Sequence, residues 1–106
     1  MSVTPETFRQ IALSFEGAEE RAHQRHPDFR VNGKIFATLG YPDAKWGMVK
    51  LTPDEQHAYL QIEPEAFTAA SGKWGASGNT MVDLAKVKKA TLADALESAW
   101  SLRRNG

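Results

Sequence analysis

The chain of 106 residues contains no cysteine, which excludes disulfides, thiol catalysis and thiolate metal sites and fits a reducing compartment. It also lacks an excess of charge, since thirteen basic side chains balance thirteen acidic ones. No global field therefore draws it to nucleic acid or to an anionic membrane. No apolar run could span a bilayer, and the first eight residues lack the basic and apolar segments of a signal peptide. We expect a single cytoplasmic domain over residues 1–106, with no membrane partner.

The clearest local signal is Asn32-Gly33, which lies between two β-prone runs. These two residue types best tolerate the positive φ angles of a type I′ hairpin turn. The turn predicts three facing pairs: Val31 with Lys34, Arg30 with Ile35, and Phe29 with Phe36. A second turn over residues 41–44 returns the chain into a strand over 46–51. These elements form a three-stranded meander, and we expect its first strand to begin within the polar residues 21–26.

Three amphipathic helices are predicted around the meander. The first has Thr4 as its N-cap and Pro5 as its first residue, the second starts at the capping-box pair Thr52 and Glu55, and the third is capped by Thr91. The second carries three inward residues, Ala58, Tyr59 and Ile62, and the third carries five, Leu92, Ala95, Leu96, Ala99 and Trp100. Two more strands are predicted over 66–69 and 79–84. Together these elements predict a two-layer α+β sandwich with a largely antiparallel sheet.

Helices on one face of such a sheet leave the other face open, and the alternation along the strands predicts which residues lie where. The purely aliphatic and Phe-rich sets are assigned to the helix side: Phe29, Val31, Phe36, Val49, Leu51, Val82 and Leu84. Ala37 and Asp83 are assigned to the opposite side. The open face would then show an apolar surface with basic residues in it: Arg30, Ile35, Trp46, Met48, Lys50 and Met81. Monomers seldom leave a large apolar surface unused.

Several segments resemble the MmcQ/YjbR family. They are HPDFRVNGKIFATL (26–39), VKLTPDEQ (49–56), GKWG (72–75), Thr80 and ALESAW (95–100). The resemblance covers nearly the whole chain and implies the order α-β3-α-β2-α, with a five-stranded sheet in the order 1-2-3-5-4. This fold is similar to type III secretion chaperones and to frataxin-like (CyaY-like) folds. Family members are commonly described as DNA-binding, and secretion-chaperone-like folds work as client-binding dimers.

Catalytic and metal-binding patterns are weak in this sequence. His23 and His26 are three residues apart, so on one strand they point to opposite faces unless the chain turns between them. No serine lies in a nucleophile-elbow pattern, and we expect no enzyme, metal or cofactor. Glycines recur at every third position of 72–78, but a phosphate-binding loop would precede a helix, whereas this segment precedes a strand. A tight loop that packs Trp74 is the preferred interpretation, with Trp100 as a second core residue.

Two functions of different classes remain. The first is DNA binding by basic side chains around the open face, with one tryptophan as a stacking plane; its residues are Arg30, Lys34, Trp46, Lys50, Lys86, Lys88 and Lys89. The second is protein interaction or self-association through apolar side chains of the same face; its residues are Ile35, Trp46, Met48 and Met81. DNA binding is taken as the leading hypothesis.

Overall fold

The computed structural model describes residues 3–23 and 26–105. Four helices lie in these ranges: α1 (Pro5–Leu13), α2 (Pro53–Ile62), α3 (Gly72–Ala76) and α4 (Lys89–Asn105). Six strands accompany them: β1 (Glu19–His23), β2 (His26–Val31), β3 (Lys34–Leu39), β4 (Trp46–Lys50), β5 (Phe67–Ala69) and β6 (Asn79–Asp83). None of these helices combines the length and apolarity that a bilayer-spanning segment needs.

All six strands form one antiparallel sheet in the order β1-β2-β3-β4-β6-β5. The α+β class is confirmed, whereas the five-stranded sheet is wrong. Strands β2 to β6 keep the relative order expected of the five, and β1 is added beside β2. In the expected scheme residues 21–26 opened a single strand, but the chain reverses there, and His23 pairs with His26. Residues 24 and 25 lie outside the described ranges. Strand β1 lies at an edge of the sheet, and its residues 19–22 are all exposed, so the apolar alternation that marks a half-buried strand is absent from them.

The predicted hairpin turn is present between β2 and β3. Asn32 has φ 54° and Gly33 has φ 78°, as a type I′ turn requires. The pairs Val31 with Lys34 and Arg30 with Ile35 are confirmed. Beyond them the register shifts by one residue.

This shift is a β-bulge, and it corrects two predictions. Phe29 pairs with Ala37 rather than with Phe36. Phe36 and Ala37 are consecutive, yet both are fully buried, because the extra residue of a bulge interrupts the strict alternation of faces. Ala37 therefore lies on the helix side with Phe29 and Val49, and not on the open side.

Local capping chemistry sets where the helices begin. The Thr4 hydroxyl accepts from the Thr7 N–H in α1. At the start of α2, the Thr52 hydroxyl accepts from the Glu55 N–H at 3.1 Å, and Glu55 accepts from the Thr52 N–H at 3.0 Å. The expected start of α4 at Thr91 is wrong, since the helix begins at Lys89.

Helix α2 buries less of its surface than the sequence predicts. Its predicted inward residues Ala58 and Ile62 are exposed, whereas Tyr59 is half-buried and its ring lies 5.3 Å from that of Phe67. The reason is position: α2 contacts β5, a three-residue strand at the sheet margin, so only part of the helix has a surface to cover.

The core lies between the sheet and the helix layer. Every strand residue assigned to the helix side is buried, as are Leu92, Ala95, Leu96 and Ala99 of α4. Helix α1 approaches the sheet at Gly47 of β4, where an added Cβ would lie 2.6 Å from Cε2 of Phe8. Because glycine has no side chain, the Phe8 ring can pack directly against the backbone of β4 at this position.

Candidate functional site

One row of residues crosses the face opposite this core. The strand register aligns Asp28, Thr38, Met48 and Met81 in direct succession. Both methionines are half-buried, whereas their respective chain neighbours Val49 and Val82 are fully buried on the other side. The sheet therefore has one helix-covered face and one partly accessible face, which we call the open face.

The four predicted partner-binding residues, Ile35, Trp46, Met48 and Met81, all lie on this open face and are all half-buried. Met48 and Met81 are direct cross-strand partners, while Trp46 is paired with Asp83 and Ile35 with Arg30. The open face is thus an apolar strip with charged residues at its sides, and not a bare hydrophobic patch.

Sequence reasoning missed an ion pair on the open face, between Asp28 and Arg30. Asp28 is only 1% exposed, although it lies in a row of partly accessible residues. Arg30 donates to it through two bonds, Nε to Oδ1 at 2.8 Å and a terminal nitrogen to Oδ2 at 3.1 Å. The hydrogen bond to Asp28 raises the pKa of Arg30 above its ordinary value. This bidentate geometry fixes the guanidinium against the sheet, so Arg30 is held in place rather than extended into solvent.

The predicted nucleic-acid-binding residues do not form a single patch. Arg30, Lys34 and Lys50 lie toward the end of the sheet that carries the β2–β3 turn. Trp46 lies at the opposite end, where β6 leads into the exposed lysines Lys86, Lys88 and Lys89. Four residue steps of β4 separate Trp46 from Lys50, which corresponds to about 13 Å.

Each end of the open face carries a lysine beside a tryptophan. The Lys45 Nζ lies 5.3 Å from the ring centroid of Trp46, and the Lys50 Nζ lies 5.2 Å from that of Trp74. Both distances are within the range of cation–π attraction. Lys45 also approaches Asp83, with 3.7 Å between Nζ and Oδ2.

Trp74 corrects the prediction of a loop that packs this side chain. It lies in the short helix α3, and it is 62% exposed. The glycines around it do serve close packing, since a Cβ at Gly75 or Gly78 would lie 1.8 Å from the carbonyl oxygen of Ala70 or Leu51. The backbone is thus packed tightly and the indole is left outside. The other predicted core tryptophan, Trp100, is half-buried and donates from its ring nitrogen to the Glu16 carbonyl.

Lys50 has unusual surroundings for a lysine. Burial lowers its pKa below the ordinary value of 10.5, and the nearby positive charge of Arg103 lowers it further. None of the ion pairs formed within residues 3–23 and 26–105 involves Lys50 or Arg103. The Arg103 Nε is itself buried without a hydrogen-bond acceptor. Sequence reasoning did not place Arg103 or Trp74 beside Lys50, because separate elements of the fold bring the three together.

The rest of the described surface offers less chemistry. Its His, Asp and Glu side chains form no group of three that could hold a metal ion. One surface cavity lies between α2 and α4, and another lies beside α1 and β1.

Comparisons with known proteins agree with this architecture. The YjbR family model matches residues 13–102. The crystal structure of Deinococcus radiodurans protein DR2400, which has a DUF419 domain, is similar, with a TM-score of 0.76 and 15% sequence identity. That match covers 95% of this chain and 78% of the other. No curated protein matches the chain.

The fold and the site together define a two-layer α+β domain with one sheet face left partly accessible. Because the YjbR model spans most of the sequence, the chain belongs to the YjbR family. The family resemblance seen in the sequence is thereby confirmed, and the likeness to DR2400 supports the fold alone.

Proposed function

We propose that this chain is a DNA-binding module without catalytic activity, and that DNA lies across the open face of the sheet. The observation that supports this best is the lysine–tryptophan pair at each end of the face. Indole rings can stack on bases of any sequence, and lysines neutralise phosphates. A cytoplasmic location, where DNA is accessible, is part of the proposal.

The zero net charge of the chain makes these local groups decisive. Long-range steering contributes little, so affinity must come from contacts made on the face itself. Lys86, Lys88 and Lys89 extend the Trp46 end with three more exposed cations. Arg30 is held in a fixed position by its bonds to Asp28, whose carboxylate compensates its charge, so the lysines supply the net positive charge of the face.

The test is fluorescence anisotropy of labelled duplex and single-stranded DNA as the salt concentration is raised. We expect affinity to fall steeply, and Lys45→Ala or Lys50→Ala each to lower the slope of log affinity against log salt by about 0.7–0.9. The Lys86, Lys88 and Lys89 triple alanine variant should weaken binding to all sequences alike.

Arg104→Ala is the matched control, since it removes one positive charge from α4, where Arg104 pairs with Glu16. It should bind DNA as the wild type does. The proposal is wrong if the wild type has no salt-dependent affinity, or if the lysine variants and Arg104→Ala behave alike.

A second candidate is self-association through the same face, and the observation that favours it is the adjacent pair Met48 and Met81. Because the chain has no net charge, two copies could bury this apolar strip against each other without net electrostatic repulsion. Light scattering after size exclusion should then show a dimer that persists at high salt and is lost in Met48→Asp. A monomer at every salt concentration would eliminate this candidate.

A further inference from the structure

Three elements converge at the end of the sheet that carries Lys50. Lys50 is the last residue of β4, Trp74 lies in α3, and Arg103 lies in the last turn of α4. Arg103 continues the stripe of α4 that is buried against the sheet, four residues beyond Ala99. The close approach of Gly78 to the Leu51 carbonyl brings α3 beside the end of β4. The three side chains are thus placed by backbone packing.

The charge of this cluster is uncompensated among the described residues. Neither Lys50 nor Arg103 forms an ion pair there, and the Arg103 Nε is buried without an acceptor. The lowered pKa of Lys50 agrees with this environment, since burial and the Arg103 charge both disfavour its protonated form. Lys50 and Arg103 are both half-buried, and partial removal of a charge from water without a partner costs free energy. An anionic group arriving from outside would relieve that cost.

The indole ring of Trp74, the aromatic residue of this cluster, is accessible to a ligand. Trp74 holds Lys50 near its ring and still leaves 62% of its surface exposed. Such a ring offers a flat apolar surface beside two positive charges. The ligand that matches both features carries a planar ring and a phosphate within one small unit.

We propose that Lys50, Arg103 and Trp74 form a nucleotide subsite, with the phosphate between the two cations and the base stacked on the indole. The nucleotide could be part of a single strand or a free mononucleotide, since both present the same chemistry. The strand form rests on the proposed function and specifies it, because a paired base inside a duplex cannot stack on a protein side chain.

The experiment uses three probes with the full chain: a labelled thymidine oligonucleotide of about twelve residues, thymidine monophosphate and inorganic phosphate. The variants are Trp74→Ala, Trp74→Phe, Lys50→Gln and the control Arg9→Gln, which removes one positive charge from α1. Because Trp74 is exposed, its variants should keep the wild-type circular dichroism spectrum.

We expect Trp74→Ala to weaken oligonucleotide binding about tenfold or more, and Trp74→Phe to retain most of the affinity. Lys50→Gln should lower the salt slope by about 0.7, the value for one single-strand phosphate contact. The control Arg9→Gln should leave binding of both the oligonucleotide and thymidine monophosphate unchanged, because Arg9 lies in α1 beside β1, where it pairs with Glu6 and Glu20.

Each failure has a separate meaning. If the oligonucleotide binds but Trp74→Ala and Lys50→Gln bind it as the wild type does, the subsite is wrong while the DNA-binding function stands. If only thymidine monophosphate binds, and does so through Trp74, the subsite stands and the DNA-binding function is wrong. If inorganic phosphate competes as well as the mononucleotide, base stacking is wrong. Absence of binding to every probe overturns both proposals.

Discussion

The central geometric claim is that helices cover one face of strand β4 and leave the other partly accessible. Two neighbouring residues test it, because Val49 is fully buried toward the helices and Met48 is half-buried on the open face. We compare Val49→Ala with Met48→Ala in urea unfolding, followed by circular dichroism at low protein concentration.

The expected magnitudes follow from burial. Val49→Ala removes two buried methyl groups, worth about 1.6 kcal/mol in transfer free energy, and leaves a cavity that adds to the cost. We expect a loss of about 2–3 kcal/mol in the free energy of unfolding, or about 8–12 °C in Tm for a domain of this size. Met48→Ala deletes a larger group, yet it should cost only about 1 kcal/mol, since part of that group already contacts water.

A reversed ranking would refute the reasoning. If Met48→Ala costs as much as Val49→Ala, then the open face is covered in solution. Repeating the measurement at higher protein concentration shows whether a second copy covers the face. If the chain self-associates through this face, the stability lost in Met48→Ala increases with protein concentration. Unchanged m-values would show that the comparison concerns the native fold in both variants.

Two further predictions concern β4. Gly47→Ala should lower the free energy of unfolding in urea by about 1–3 kcal/mol, because the added Cβ would lie 2.6 Å from the Phe8 ring. Adding Phe8→Leu to this variant should recover part of that loss. A Gly47→Ala variant as stable as the wild type would contradict the packing. The second concerns Lys50, whose pKa in the folded chain is below the ordinary value of 10.5, which applies to the unfolded chain. Between the folded-state pKa and 10.5, the unfolded chain binds more protons than the folded chain. The free energy of unfolding therefore increases with pH in this range. Lys50→Met should remove that increase and be more stable than the wild type at neutral pH, and an identical pH dependence in both proteins would contradict the lowered pKa.

The parts of the fold that the sequence predicts are those with a local signal. The turn at Asn32-Gly33, the Thr52 capping box and the α4 stripe each depend on residues within a few positions of one another. The bulge next to Phe29 was missed because both Phe36 and Ala37 suit a buried site, and no turn or glycine marks the extra residue. Strand β1 was missed because an exposed edge strand needs no apolar alternation.

The candidate site was predictable only in part, for a related reason. The position of Met48 and Met81 on the open face follows from the alternation of side chains along a strand, which is a local pattern. The proximity of Lys50, Trp74 and Arg103 depends on how β4, α3 and α4 end, which no pattern within one element encodes. The close backbone packing at Gly75 and Gly78, beside the exposed Trp74, likewise involves Ala70 and Leu51, which lie outside α3.

The two margins of the sheet limit how copies of this protein can associate. Along one margin, β1 presents exposed charged side chains from Glu19, Glu20 and Arg21, and at the other β5 has only three residues. Charged and very short borders resist the addition of a further strand. Fibril-like growth by adding strands from further copies to either margin of the sheet is therefore disfavoured.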